Sequence, residues 1–169
     1  IPQRQRDVDI LFIVDDSGSM EDEQKQVSRN FISLMNTLKQ TPGGLPNVHI
    51  GVTSTDVGAG QGCPGTGRNG VLQTNNCPQL NGGNYIINTE PTSCNIEKSL
   101  DESTGGLLQC GGNDCTSANC TEPGTQLVTD ELGCPRCVNY TGDSLPNLFA
   151  CMATLGTDGC GYEQPLEAM

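Results

Sequence analysis

Tryptophan is absent from this chain, and three Phe, three Tyr and one histidine, His49, make up its entire aromatic and imidazole content. With 4% aromatic and 34% hydrophobic residues over 169 positions, apolar burial cannot hold the whole length, so part of the chain must be fixed by other means. Positive charge is also scarce: beyond Lys39 the only basic residues are Arg68, Lys98 and Arg136. The formal net charge of −12 repels phosphate backbones and anionic lipid heads, which argues against nucleic acid and membrane surfaces as partners and favours metal cations. No run reaches the roughly 20 apolar residues of a membrane span, so no transmembrane segment is expected. No signal peptide precedes Ile1, and the chain is expected to be a mature or excised piece whose export signal is gone.

What the chain has in excess is glycine, 22 residues, and cysteine, ten residues. Cysteine does not occur before position 63. Cys63, Cys77, Cys94, Cys110, Cys115, Cys120, Cys134, Cys137, Cys151 and Cys160 are an even set in a region rich in Gly, Asn and Thr, which reads as a disulfide framework standing in for a core. About 945 complete pairings are possible, and the sequence chooses none of them. The compartment implied is oxidising: secreted or cell surface, with a bacterial envelope expected. Cys134-Pro135-Arg136-Cys137 has C-x-x-C spacing without the βαβ setting of a redox site, so structural disulfides are expected there. Gly65-Thr66-Gly67-Arg68-Asn69-Gly70 matches G-x-G-x-x-G but has no helix after it to receive a phosphate. Asn119-Cys120-Thr121 and Asn139-Tyr140-Thr141 are glycosylation sequons by pattern.

The sharpest local pattern lies near the start. Residues 1–6 read as a linker, and Ile10 to Val14 is a continuous apolar run suited to a strand buried on both faces of a parallel sheet. Asp15, Ser17 and Ser19 follow at alternate positions, presenting one carboxylate and two hydroxyls, hard oxygen donors of the kind Mg²⁺, Ca²⁺ or Mn²⁺ requires. A plain strand-to-helix turn with Ser19 as N-cap is the competing reading. Glu21, Asp22 and Glu23 suit a helix N-terminus, and Val27, Phe31, Leu34, Met35 and Leu38 form one stripe of a helix expected to run to about Gln40. Val48 to Asp56 is expected to be a second strand, parallel to the first, with His49 a partly exposed strand residue and Asp56 at its end either touching the metal's water shell or capping a turn. Residues 58–142 read as one long Cys/Gly/Asn-rich insertion with brief apolar pairs at Val71-Leu72, Ile86-Ile87, Leu107-Leu108 and Leu127-Val128. A helix is expected again over Leu145 to Leu155, capped by Asp143 or Ser144, with Gly156 closing it. Tyr162 to Met169 reads as the opening of a further helix.

The sequence Asp15-Asp16-Ser17-Gly18-Ser19-Met20 after an apolar strand resembles the metal-ion-dependent adhesion site (MIDAS) of von Willebrand factor A domains, and the Cys-rich insertion with the Gly-Cys-Gly-Tyr-Glu-Gln-Pro ending is similar to Cys-rich surface lipoproteins of myxobacteria-like bacteria. The resemblance implies an α/β fold with a Rossmann-like, doubly wound, mostly parallel sheet, residues 7–169 being the N-terminal portion of the domain with 58–142 inserted. It implies that Asp15, Ser17 and Ser19 are metal ligands and that Thr157, after Gly156, supplies the second-loop ligand. Asp158 competes with Thr157, and Asp56 and Asp158 are candidates for touching the metal's water shell. The family's third ligand, an Asp ending a later strand, has no match, so the remainder of the domain is expected in the same protein or in an associated chain.

The function this implies is metal-dependent adhesion, in which a divalent cation coordinates a carboxylate offered by a protein partner. A surface or filament component with a merely stabilising metal is the alternative. Enzymatic activity is not expected: a phosphatase of the D-x-D type would need an acid where Ser17 stands, and a serine hydrolase would need the G-x-S-x-G elbow and a well-placed histidine.

Overall fold

The computed structural model describes residues 7–41, 43–58, 60, 63, 65–101, 107–115, 118–141 and 145–169, with backbone alone at 100, 101, 107, 108 and 112–114. The chain runs β1 (Asp7–Val14), α1 (Glu21–Lys39), β2 (Asn47–Ser54), β3 (Ile86–Thr89), β4 (Asn95–Asp101), β5 (Leu107–Asp114), β6 (Gln126–Thr129), β7 (Pro135–Val138) and α2 (Leu145–Ala153). The apolar run and the helical stripe form a strand and a helix as expected, but β1 is not buried on both faces: it ends the sheet, Leu11 is exposed, and of Ile10–Val14 only Val14 is buried. The linker at 1–6 and the caps Asp143 and Ser144 lie outside the described residues.

Five strands make one sheet in the order β1-β2-β3-β7-β6, and β4 and β5 pair as a separate two-stranded unit. Only β1 and β2 are parallel, in register from Asp7 opposite Asn47 to Val14 opposite Ser54. Every other pairing is antiparallel. The expected doubly wound, mostly parallel sheet is therefore incorrect. A parallel neighbour needs a crossover of a dozen or more residues, usually helical, and α1 is the single helix that makes one. The strands drawn from 58–142 are joined by turns and loops instead, so they return antiparallel, and that stretch contributes three of the five strands rather than hanging outside the sheet.

Both helices lie on one face. Val48, Ile50 and Val52 alternate inward along β2 and pack with Phe31 and Met35 of α1 and with Leu148, Phe149 and Met152 of α2. Phe31 and Phe149 stack with ring centroids 3.9 Å apart, and Phe12 of β1 leans on Phe149 at 4.5 Å. Three Phe side chains are thus all concentrated at one point, where they do most for a core of this size. Among the described residues the opposite face carries no helix. There Leu72 covers Gly51, whose missing side chain leaves only 2.9 Å between an added Cβ and the Leu72 methyl, and Thr53 Oγ1 donates to Val71 O. Val71-Leu72 is thus a packing segment, not a strand.

All ten cysteines pair: Cys63–Cys160, Cys77–Cys151, Cys94–Cys115, Cys110–Cys134 and Cys120–Cys137. Cys134 and Cys137 take different partners, so the C-x-x-C is no redox pair. Two bridges run from the middle of the chain to its last third, Cys77 to α2 and Cys63 to Cys160. No described helix is long and apolar enough to cross a membrane. The tail at 162–169 makes a single turn, closed by Ala168 N–H donating to Gln164 O, in place of the helix expected there.

On the helix-free face His49 stands between two carboxylates, Nδ1 at 2.9 Å from Asp9 of β1 and Nε2 at 3.0 Å from Glu122, with the Tyr85 ring edge-on. Only the imidazolium can donate at both nitrogens. Partial burial lowers the His49 pKa, but the hydrogen bonds to Asp9 and Glu122 outweigh it and hold the pKa above its ordinary value of 6.5. The folded pKa exceeds the unfolded one, so the clamp contributes its full stability below about pH 6.5 and loses it as pH rises through the folded value. An NMR titration should place the His49 pKa above 6.5, and His49→Gln should remove this part of the stability's pH dependence; an unchanged pH profile would show that Glu122 is not held through His49.

Candidate functional site

β1 ends at Val14, and the next residues fold into a tight loop before α1. Ser17 N–H donates to Asp15 Oδ1 at 2.8 Å, an Asx-type turn, and Met20 N–H donates to Ser17 O at 3.1 Å. The helix N-cap is Met20, with no side-chain cap. Ser19 is therefore not the N-cap. The hydroxyls of Ser17 and Ser19 make no hydrogen bond among the described residues, Ser17 being buried and Ser19 exposed.

The chain returns to this loop after α2. An added Cβ on Gly18 would lie 3.9 Å from Thr157 O, and Gly159 N–H donates to Asp16 O at 2.8 Å. Thr157 is thus brought beside Asp15–Ser19 although 138 positions separate it from Ser19. Its hydroxyl, like those of the two serines, makes no described hydrogen bond. Asp158 is exposed and likewise without a described bond. Asp56 does something different. Its Oδ1 accepts Gly58 N–H at 2.9 Å, so it caps a turn, and its backbone carbonyl accepts the N–H groups of Arg68 and Asn69.

Three further residues hold the two loops together, and none stands out from motif spacing. Gln24, buried on the first turns of α1, donates through Nε2 to Asp15 O and to Gly156 O, both at 2.8 Å, and accepts Leu155 N–H at Oε1. A polar residue in line with Phe31 and Met35 on an apolar stripe was the signal available for it. Asp16 is 0% exposed. Ser54 Oγ donates to its Oδ1 at 2.6 Å, and Arg68 Nε stands 2.8 Å from Oδ2, at ion-pair distance but out of line for a hydrogen bond. Gly159 presses on Asp16 so closely that a Cβ there would fall 2.3 Å from Oδ1. Arg68 also donates to Leu155 O at 2.9 Å and Gln73 Oε1 at 3.0 Å.

The oxygen groups near the loop are the Asp15 carboxylate, whose Oδ1 already accepts Ser17 N–H, the exposed Asp158 carboxylate beside Thr157, and the hydroxyls of Ser17, Ser19 and Thr157. Thr55, next to β1's end through its N–H to Val14 O, adds a buried hydroxyl with no partner. Unpartnered oxygen in this quantity suits a hard cation. Nowhere among the described residues do three or more His, Cys, Asp or Glu side chains gather to hold a metal. Cation binding here would rest on the Asp15 carboxylate and neutral hydroxyls, with Asp158 at the edge of the same loops.

No family model matches the chain, nor does any curated protein or solved structure. The geometry of the two loops must carry the functional reading alone.

Gln24→Leu keeps the volume but strands Leu155 N–H and the carbonyls of Asp15 and Gly156. The variant should lose about 2–3 kcal/mol in urea unfolding; a loss below about 0.5 kcal/mol would show that the loops do not depend on this amide.

Proposed function

We propose that this chain is an extracellular, metal-dependent protein-binding module of the von Willebrand factor A kind, secreted or exposed at a bacterial surface, which captures a carboxylate of a protein partner through a divalent cation. The observation that carries the reading is that Ser17 and Ser19 lie in a loop neighbouring that of Thr157 and their three hydroxyls make no hydrogen bond among the described residues, while α1 has Met20 as its N-cap and no side-chain cap. Asp15, Ser17, Ser19 and Thr157 would hold Mg²⁺, Ca²⁺ or Mn²⁺. Three neutral donors neutralise little of its charge, so the cation would supply an electrophilic seat for one more carboxylate. Five disulfides support an oxidising location.

A second partner, the remainder of the domain in this protein or in an associated chain, is supported by the sheet order. β1 lies at an end of the sheet, and its outer edge is unpaired among the described residues, with Leu11 43% exposed. An edge strand this apolar is normally covered.

The test is cation binding followed by carboxylate binding. Calorimetry with MgCl₂, CaCl₂ and MnCl₂ should detect one site, and the loaded protein should bind a Glu-containing peptide that EDTA releases. Asp15→Ala removes the one carboxylate of the proposed ligand set and should weaken cation binding at least tenfold. Equal affinity in Asp15→Ala would sink the reading.

A further inference from the structure

Arg68 belongs to the Cys-rich stretch, yet its guanidinium is spent on the two loops of the candidate site. It meets Asp16 between Asp15 and Ser17, and it donates to Leu155 two residues before Thr157. The residue that reaches both loops from this side comes in on a backbone crossing. Gly58 and Gly67, with φ of +71° and +67°, pass so close that a Cβ on Gly67 would fall 2.0 Å from Gly58 N. Only glycine permits that approach. Asp56 O fixes the crossing by accepting the Arg68 and Asn69 N–H groups at 2.7 and 3.2 Å. The glycine-rich run that resembles a phosphate loop is therefore a device for delivering one arginine.

We propose that Arg68 is a positioning residue of the cation site, fixing the directions of Asp15 and Ser17 through Asp16 and the path to Thr157 through Leu155. This rests on the cation reading above. Asp15 and Ser17 flank Asp16 in the chain, so a fixed Asp16 side chain limits the turn of both neighbours. On the other loop, Leu155 is gripped from two sides, its N–H by Gln24 and its carbonyl by Arg68. Groups that orient metal ligands without touching the metal commonly set its affinity by about 10–100-fold. The Cys-rich stretch would on this account be a working part of the site, and the Cys63–Cys160 bridge would tie its start to the same second loop.

Lysine at this position keeps a cation for Asp16 but cannot also bond Leu155 O and Gln73 Oε1, because it lacks the planar fork. Arg68→Lys and Arg68→Gln should be compared with the parent chain, disulfides intact, for thermal unfolding in EDTA and for Mn²⁺ affinity by electron paramagnetic resonance. We expect Arg68→Lys to unfold within a few degrees of the parent yet bind Mn²⁺ about 10–100-fold more weakly. Arg68→Gln should lose both stability and affinity. Parent-like Mn²⁺ affinity in Arg68→Lys would overturn the proposal, because charge compensation of Asp16 would then be the whole role. If the parent itself binds no Mn²⁺, the cation reading falls and this inference with it, whereas a parent that binds beside an unaffected lysine variant defeats the inference alone.

Discussion

The burial of the Asp16 carboxylate is the constraint around which this structure is arranged. A charge removed from water costs several kcal/mol unless a counter-charge and hydrogen bonds replace the lost solvation. At 0% exposure the Asp16 carboxylate is compensated from two places, Ser54 at the end of β2 and Arg68 from the Cys-rich stretch, while the Gly159 N–H satisfies the same residue's backbone carbonyl. Each demand fixes a segment. β2 must end in a hydroxyl beside β1, the chain at 58–68 must cross itself to present a guanidinium, and the return after α2 must carry a residue without a side chain at 159.

The same economy governs the other scarce cations. Arg136, almost fully buried on β7, bonds Asn88 Oδ1, Asn88 O and Pro46 O, with Leu45 O and the Glu90 carboxylate nearby. Burial pulls its pKa down from the ordinary value, and the Glu90 and Asp130 charges act against that. Lys98 pairs with Glu90 and reaches Gly43 O. All three basic residues after Lys39 thus lie partly or wholly inside, each joining segments distant in sequence. With a net charge of −12 and its later cations drawn inward, the chain carries an acidic surplus outside, relieved on α1 by the exposed Lys25 and Arg29, and such a surplus attracts divalent cations.

What could be read from the sequence follows from the range of the interactions concerned. β1, α1 and β2 are determined by short-range periodicity and a helix-length crossover, and they form as the residues suggest. Past position 58 the signals are glycine, asparagine and cysteine, which specify turns and bridges but not which strand a segment joins. The partners of Cys77 and Cys63 lie 74 and 97 positions away, and nothing local encodes such a distance. The expectation of a doubly wound sheet failed for this reason, because it extended the logic of one parallel pair into a region with no second crossover helix. At the site, alternate oxygen-bearing residues were legible as a pattern, and the Gly156-Thr157 loop was legible through a resemblance. Asp16, Gln24 and Arg68 were not, because a buried polar side chain differs from an exposed one only in what surrounds it.

Asp15 and Asp16 are chemically identical neighbours that the fold assigns to opposite tasks. Had both carboxylates faced the loop, a cation there would meet two negative charges from the chain and have less call for a third from a partner. Ser54 and Arg68 hold Asp16 inward, where the guanidinium balances its charge, leaving Asp15 as the carboxylate set between the Ser17 and Ser19 hydroxyls and the interior. On the proposed function, that asymmetry is what keeps the cation electron-poor. The fold converges here on one ion pair, and the disulfide-rich stretch, which supplies its arginine, would on that proposal set the charge a ligand meets as well as tie the chain together.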